Sequence, residues 1–152
     1  MDFDHAFSVA APIDAVWTTL TDIRRVAPCL PNARVTRRVA DDSYDVEVMA
    51  AVGPFEITSQ GNITLAERDD AAHREVLNVV ANDADGERLA TATVTIVLTP
   101  AGATTDGAVR SSVEFGGIGS LVARDTLDQA AAGTLQTFAA NLETLVRRRS
   151  AR

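Results

Sequence analysis

Near the N-terminus, Phe3, His5, Phe7 and Val9 occupy one phase of a two-residue alternation, and polar or small residues fill the other phase. This period is typical of a β-strand with one face turned toward the interior. The apolar residues of the next segment, Pro12–Leu20, recur instead at helical spacing. Because proline is well tolerated at the first position of a helix, this segment predicts a short helix.

A second short helix and six further strands are predicted after it. The helix covers Ile23–Ala27 and ends before Pro28, because a residue that precedes proline avoids the helical region. The strands are predicted at Arg34–Ala40, Tyr44–Val52, Phe55–Leu65, His73–Ala81, Arg88–Leu98 and Ala108–Phe115. The segments between them, such as NDADG and PAGATTDG, are typical of turns. Since parallel strands need a crossover of about a dozen residues, these short turns predict an antiparallel meander.

The last element is a long helix, predicted from about Ser120 to Arg147. Its apolar residues fall at helical spacing and form one stripe, at Leu127, Ala131, Leu135, Phe138, Leu142 and Leu145. The order of elements predicts an α+β fold in which a curved antiparallel sheet of about seven strands wraps the long C-terminal helix. We expect residues 1–149 to form a single domain, followed by a short basic tail at 150–152.

Composition and charge exclude several classes of function. Hydrophobic residues make up 46% of the 152 residues, which is enough for a buried core. The net charge of −7 argues against a nucleic-acid partner, because phosphate binding needs a basic surface. All 14 basic residues are arginine, so no lysine can form a Schiff base. The N-terminus lacks the apolar core of a signal peptide, and no segment reaches the ~18 apolar residues of a membrane span, so we expect a cytoplasmic protein.

Cys29, the single cysteine, lies between Pro28 and Pro31 in the segment VAPCLPNA. A nucleophilic cysteine needs a nearby base, and only His5 and His73 are available. No cysteine or histidine pair has the spacing of a metal site. Because free cysteines are usually buried, we predict that Cys29 packs in the core at a rigid corner. We therefore predict no catalytic residue, no metal and no cofactor.

The glycine-rich segment GGIGSLV, residues 116–122, is similar to part of a dinucleotide-binding fingerprint. Val122 stands where the third glycine is needed, and the sequence shows no further strand after the helix. We therefore interpret the glycines as a sharp turn from strand to helix. At the far end of that helix, Arg147, Arg148 and Arg149 are candidates for contact with anionic lipid or an acidic partner, or else form a solvated helix end.

Three segments together resemble the G-subunit family of carbon monoxide dehydrogenase, within the START/SRPBCC superfamily of helix-grip proteins. They are PIDAVWTTLTDIRRVAPCLPNA, VGPFEITSQGNITL and GGIGSLVARDTLDQAAAGTLQTFAANL. The first resembles the family's opening helices and its Cys-apolar-Pro-Gly turn, with Asn32 in place of the glycine. Asparagine is the residue that best replaces glycine in a left-handed conformation, so we expect the turn to be kept.

The resemblance implies a cavity between the sheet and the long helix that holds an apolar molecule such as a lipid or a quinone. It also implies an accessory role beside a molybdenum hydroxylase of the carbon monoxide dehydrogenase type, in its maturation or at the inner face of the membrane. The inward phases supply the candidate wall residues, which are His5, Trp17, Tyr44, Val48, Phe55, Ile57, Val94, Ile96, Val113, Phe115, Leu127, Ala131 and Leu135.

Two alternatives remain open beside a non-enzymatic binding protein. The superfamily includes polyketide cyclases and aromatases, which need polar groups inside the pocket to enolise their substrate. The predicted inward phases offer few such groups, chiefly His5, Tyr44, Ser59 and Ser111, so the sequence favours binding over catalysis. The other alternative is an interaction protein with a packed core and no ligand.

Overall fold

The computed structural model describes residues 1–52, 54–116 and 122–150, without the side chains of residues 50–52, 55, 57, 149 and 150. The strands are β1 (Asp2–Val9), β2 (Ala33–Ala40), β3 (Ser43–Val52), β4 (Phe55–Asp69), β5 (Arg74–Asn82), β6 (Arg88–Ala101) and β7 (Thr104–Phe115). The helices are α1 (Ile13–Leu20), α2 (Ile23–Val26), which continues into a 3₁₀ turn at Ala27–Cys29, and α3 (Arg124–Ser150).

The seven strands form one sheet in the order β1-β7-β6-β5-β4-β3-β2, and each neighbouring pair is antiparallel. Strands β2 to β7 follow one another through local turns, and β1 pairs with β7. The sheet curves around α3, so the predicted α+β helix-grip architecture is confirmed.

Three strand boundaries differ from the prediction by more than one residue. The segment PAGATTDG is mostly strand, because β6 runs to Ala101 and β7 starts at Thr104, which leaves a tight turn at Gly102 with φ of 68°. Strand β4 continues past Leu65 to Asp69 through a register shift at Ala66. Such a bulge lets a strand bend without ending its pairing.

The start of α3 also differs from the prediction. Residues 117–121, which include the predicted start at Ser120 and most of the GGIGSLV segment, lie outside the described residues, and Val122 and Ala123 are not helical. The helix begins at Arg124 and has 27 residues, so at about 1.5 Å per residue it is roughly 40 Å long.

The C-terminal half of α3 carries the solid core. Phe138, Ala139, Leu142 and Val146 are buried there, whereas Leu127 and Leu135 are half-buried and Ala131 is exposed. The predicted stripe is therefore buried at Phe138 and Leu142, and its members Leu135 and Leu145 are half-buried and pack against the same cluster, while Ala139 and Val146 were not part of it. Residues of β1, α1, β6 and the 3₁₀ turn complete this cluster, including Val9, Val16, Trp17, Leu20, Cys29 and Leu98.

One contact ties the 3₁₀ turn to the helix. The side-chain amide of Asn141 donates a hydrogen bond to the carbonyl oxygen of Cys29 at 2.8 Å. The turn that follows keeps its left-handed residue, since Asn32 has a φ of 59°. The C-terminal half of α3 is therefore packed against the core and the 3₁₀ turn, whereas space remains between its N-terminal half and the sheet.

Candidate functional site

A cavity of about 350 Å³ lies between the concave face of the sheet, α2 and the N-terminal half of α3. Its walls are formed by His5, Phe7, Leu20, Ile23, Val26, Ala27, Leu30, Val46, Val48, Ser59, Gly61, Ile63, Glu75, Leu77, Val79, Val80, Ala81, Val94, Ile96, Val109, Ser111, Ala131, Thr134, Leu135 and Phe138. The volume falls in the range of small-molecule sites, which are usually concave, mostly apolar and provided with a few polar groups.

The space exists because α3 has a small side chain at the point where it crosses the sheet. Within the segment 130–133, the residue in the described cavity wall is Ala131, whose methyl group projects few atoms into the space. A large side chain at Ala131 would be expected to fill the gap, as Phe138 does farther along the helix.

The structure brings several of the sequence-predicted wall residues together. The predicted residues found in the cavity wall are His5, Val48, Val94, Ile96, Ala131 and Leu135. Ser59 and Ser111, which were expected as polar groups of the inward phases, line it as well. Phe55 and Ile57 lie outside the described side chains.

Trp17, Tyr44, Val113, Phe115 and Leu127 are not among the described residues that line the cavity. Leu127 lies on the first part of α3 and is half-buried, as are Val113 and Phe115 at the end of β7.

Trp17 and Tyr44 have identifiable surroundings elsewhere. The indole Nε1 of Trp17 donates a hydrogen bond to Asp70 Oδ1 at 2.9 Å, and its ring meets that of His73 edge-on. Trp17 thereby anchors α1 to the hairpin between β4 and β5. Tyr44 is buried beside a separate groove that Ile23 also borders.

An imidazole and a carboxyl group give the cavity its strongest polar character. His5 is half-buried in the wall, and its Nε2 lies 3.2 Å from Oδ1 of Asp128 on α3. The carboxyl group belongs to Glu75 on β5, which was not among the predicted site residues. Its signal was its phase, because Glu75 alternates with Leu77, Val79 and Ala81, the inward residues of the same strand.

Glu75 is fully buried, and neither of its carboxyl oxygens has a hydrogen-bond partner among the described residues. Burial raises the pKa of Glu75 to about 7, although the positive charge of Arg68 acts in the opposite direction. The Arg68 guanidinium donates its own hydrogen bond to Asp70 at 2.7 Å rather than to Glu75. At pH 7 about half of the Glu75 carboxyl groups are therefore protonated, in the wall of an apolar chamber, and the protonated share rises as the pH falls.

The strand register relates the two polar groups. Glu75 pairs with Ile96, Ile96 pairs with Val109, and Val109 pairs with His5, so the four residues form one row across four strands. All four line the cavity. The floor of the chamber is therefore apolar in the middle and carries an acid at one end and an imidazole at the other.

The remaining predicted sites have simpler surroundings. Cys29 is buried in the core cluster, and burial raises the pKa of its thiol. Among the described residues, no group of three histidine, cysteine or acidic residues is arranged to hold a metal ion.

Arg147 and Arg148 are exposed near the end of α3, and the side chain of Arg149 lies outside the described part. No helix in the described ranges is long and apolar enough to cross a membrane.

Several solved structures share this architecture. A conserved protein from Geobacillus kaustophilus superposes with a TM-score of 0.85 at 16% identity, over 97% of this chain and 96% of that one. The Zhui aromatase/cyclase from Streptomyces sp. R1128 gives 0.65 at 17% identity, over 99% and 95%. A START superfamily protein from Mycobacterium smegmatis gives 0.62 at 14% identity, over 97% of both chains. At these identities the likeness establishes the fold alone.

Sequence comparison identifies the family. A search of curated proteins found no match. The profile of the CoxG family, described as the G subunit of carbon monoxide dehydrogenase, matches residues 6–147, which is nearly the whole chain. The resemblance carried by the three sequence segments is thereby confirmed, and this chain belongs to the CoxG family, the G-subunit family of carbon monoxide dehydrogenase.

Proposed function

We propose that this protein is a non-enzymatic accessory protein that carries a lipid-like or quinone-like molecule for a molybdenum hydroxylase of the carbon monoxide dehydrogenase type. The observation that supports it most is the 350 Å³ cavity, whose wall is predominantly apolar. Family membership supports the choice of partner. Carriage rather than catalysis fits a chamber in which apolar side chains greatly outnumber polar ones.

Burial of apolar surface in the cavity would favour the binding of an uncharged ligand. Removing apolar surface from water contributes about 25 cal/mol per Å², so ~300 Å² of buried ligand surface contributes about 7 kcal/mol before ordering costs. A quinone ring with part of an isoprenoid chain has dimensions suited to such a chamber. Because about 7 kcal/mol corresponds to a Kd of roughly 10 µM before ordering costs, we expect binding at tens to hundreds of micromolar without any charge contact.

The direct test combines identification of the ligand with a variant whose cavity is filled by a larger side chain. Small molecules extracted from the purified protein are identified by mass spectrometry, and binding of a short-chain quinone is measured by equilibrium dialysis. Ala131→Trp projects a large ring into the cavity and should abolish binding. Ala140→Trp changes an exposed alanine on the same helix that is not part of the described cavity wall, and should leave binding intact. Absence of any apolar ligand would favour an interaction protein with no ligand, and equal binding by both variants would place the ligand outside the cavity and contradict the proposed site.

The partner is tested separately. Oxidation of carbon monoxide by water releases two electrons and two protons, which together convert a quinone to a quinol. A purified carbon monoxide dehydrogenase should reduce the quinone faster when this protein presents it, with a saturable dependence on protein concentration. A rate that is the same with and without the protein, or with the Ala131→Trp variant, would contradict the proposed partnership.

A second candidate function is enzymatic, and Glu75 is the observation that favours it. A carboxyl with a pKa of about 7 is suited to general acid–base work. The carboxylate would take a proton from the carbon beside a ketone, the C–H electron pair would form a C=C bond, and the carbonyl electrons would move to the oxygen as an enolate. In heavy water, 2-tetralone should then exchange its α-protons for deuterium, and Glu75→Gln should stop the exchange. A rate equal to that of the buffer would exclude this function.

A further inference from the structure

We propose that Glu75 is the polar anchor of the ligand, and that its carboxyl group donates a hydrogen bond to a carbonyl oxygen at one end of an uncharged, otherwise apolar molecule. This inference rests on the proposed carrier function and deepens it. It names the chemical group that the cavity selects and the residue that selects it. The aliphatic wall then holds the rest of the molecule.

The geometry of Glu75 is that of a residue with an unused hydrogen-bonding group. Its side chain is fully buried, lies in the cavity wall, and has both oxygens without a partner among the described residues. Buried polar atoms nearly always have partners, because an unmet group costs about 1–3 kcal/mol. A ligand oxygen in the chamber would supply the missing partner, whereas a hydrocarbon would leave Glu75 as it is.

The surroundings favour a neutral acceptor over a cation. The charged residue with a resolved effect on Glu75 is Arg68, and its guanidinium is hydrogen-bonded to Asp70. The cavity wall around Glu75 consists of aliphatic residues such as Leu77 and Ile96. Ionising a carboxyl beside such a wall carries a desolvation cost, so the protonated form prevails below pH 7, and its O–H group is a donor that matches a carbonyl.

His5 is less suited to be the primary anchor. Its Nε2 makes no hydrogen bond among the described residues, but it already lies 3.2 Å from Oδ1 of Asp128 on α3. Ile96 and Val109 separate His5 from Glu75 along the row of paired residues. A flat ring anchored at Glu75 would therefore lie over these two aliphatic side chains.

Two ligands of nearly the same shape test the proposal. 2,3-Dimethyl-1,4-naphthoquinone carries two carbonyl groups and no free position for attack by a thiol, and 2,3-dimethylnaphthalene carries none. Their affinities are measured by equilibrium dialysis for the wild type, Glu75→Gln and Glu75→Leu. Glutamine keeps the size of the side chain and an N–H donor, whereas leucine removes hydrogen bonding. Thermal unfolding of each variant confirms that it folds.

We expect Glu75→Leu to weaken quinone binding by about five- to tenfold and to leave hydrocarbon binding unchanged or tighter. Glu75→Gln should retain most of the quinone affinity. The carbonyl stretch of the bound quinone should lie at lower frequency in the wild type and in Glu75→Gln than in Glu75→Leu. A role of Glu75 in stability alone would not shift this frequency.

Three results would overturn the proposal. If both ligands bind and Glu75→Leu changes neither affinity, or both equally, Glu75 is no anchor although the carrier function stands. If 2-(aminomethyl)naphthalene loses affinity in Glu75→Leu while the quinone does not, Glu75 is a counter-ion for cations. If neither the quinone nor the hydrocarbon binds the wild type, the carrier function fails and this inference fails with it.

Discussion

At the scale of single residues, Glu75 makes the stability of the protein depend on pH in a defined direction. Burial raises its pKa from the ordinary 4.5 to about 7 in the folded state. Below pH 4.5 the group is protonated in both states and has no net effect. Between pH 4.5 and 7 the unfolded chain releases the proton first, so the free energy of unfolding falls as pH rises.

The size of this effect follows from the two pKa values. The difference between 4.5 and about 7 corresponds to roughly 3 kcal/mol of unfolding free energy, which is lost by pH 8. Urea denaturation between pH 4 and pH 8 should therefore show a larger fall for the wild type than for Glu75→Gln, which cannot ionise. Parallel curves for the two proteins would mean that Glu75 is not buried without a partner.

We expect the thiol of Cys29 to be unreactive in the folded protein. Its side chain is 5% exposed, and burial raises the pKa of the thiol, so little reactive thiolate forms at neutral pH. Labelling by a thiol reagent should be slow in the native protein and fast in urea. Cys29→Ala combined with Ser112→Cys moves the thiol to an exposed position of β7 and should react quickly without denaturant. Rapid stoichiometric labelling of the native wild type would contradict core packing and revive a catalytic role.

At the scale of elements, α3 has two halves with different energetic roles. Leu142 is 0% exposed in the solid core, so Leu142→Ala should cost about 2–5 kcal/mol of unfolding free energy. Leu135 is half-buried and borders the cavity, so Leu135→Ala removes fewer packed contacts and should cost less than about 2 kcal/mol. Urea denaturation compares the two variants directly. Equal costs would indicate that the N-terminal half is packed as tightly as the other.

The elements themselves were predictable because their periodicity is local. Strands with a two-residue alternation and a helix with one apolar stripe determine the order and the antiparallel pairing without long-range information. The boundaries at β6 and β7 were not predictable in this way. Thr105 resembles a turn residue in sequence, but in the fold it is fully buried and donates to the Ala11 carbonyl at 2.8 Å. That partner is distant in sequence, so no local pattern reveals it.

The candidate site was predictable only where side-chain phase decides the outcome. Val94 and Ile96 follow the inward phase of β6 and line the cavity. Trp17 was expected there from its inward phase, but its indole N–H needs an acceptor and finds Asp70 outside the cavity wall. Glu75 had the right phase, yet a charged residue is expected to face water. Its burial results from packing between elements that are distant in sequence, which no local pattern reveals.

At the scale of the whole molecule, the basic residues at the end of α3 contrast with the net negative charge of the chain. The net charge is −7, so most of the surface is repelled by anionic lipid. The end of α3 carries Arg147 and Arg148, which are exposed, followed in sequence by Arg149. Each basic residue close to an anionic surface contributes about 1 kcal/mol. We therefore expect the protein to approach such a membrane with this end of the helix.

The prediction is tested by replacing Arg147, Arg148 and Arg149 with glutamine, which should lower association with phosphatidylserine liposomes and leave the affinity for a soluble quinone unchanged. Cosedimentation at low salt measures the first quantity, and equilibrium dialysis measures the second. The matched control replaces the three arginines of β2 and makes the same change in net charge, at Arg34, Arg37 and Arg38. Each of these lies within 3.4 Å of an acidic side chain, so its charge is already largely compensated. If both triple variants lose the same amount of liposome binding, net charge rather than the helix end governs the approach, and the proposed orientation is wrong.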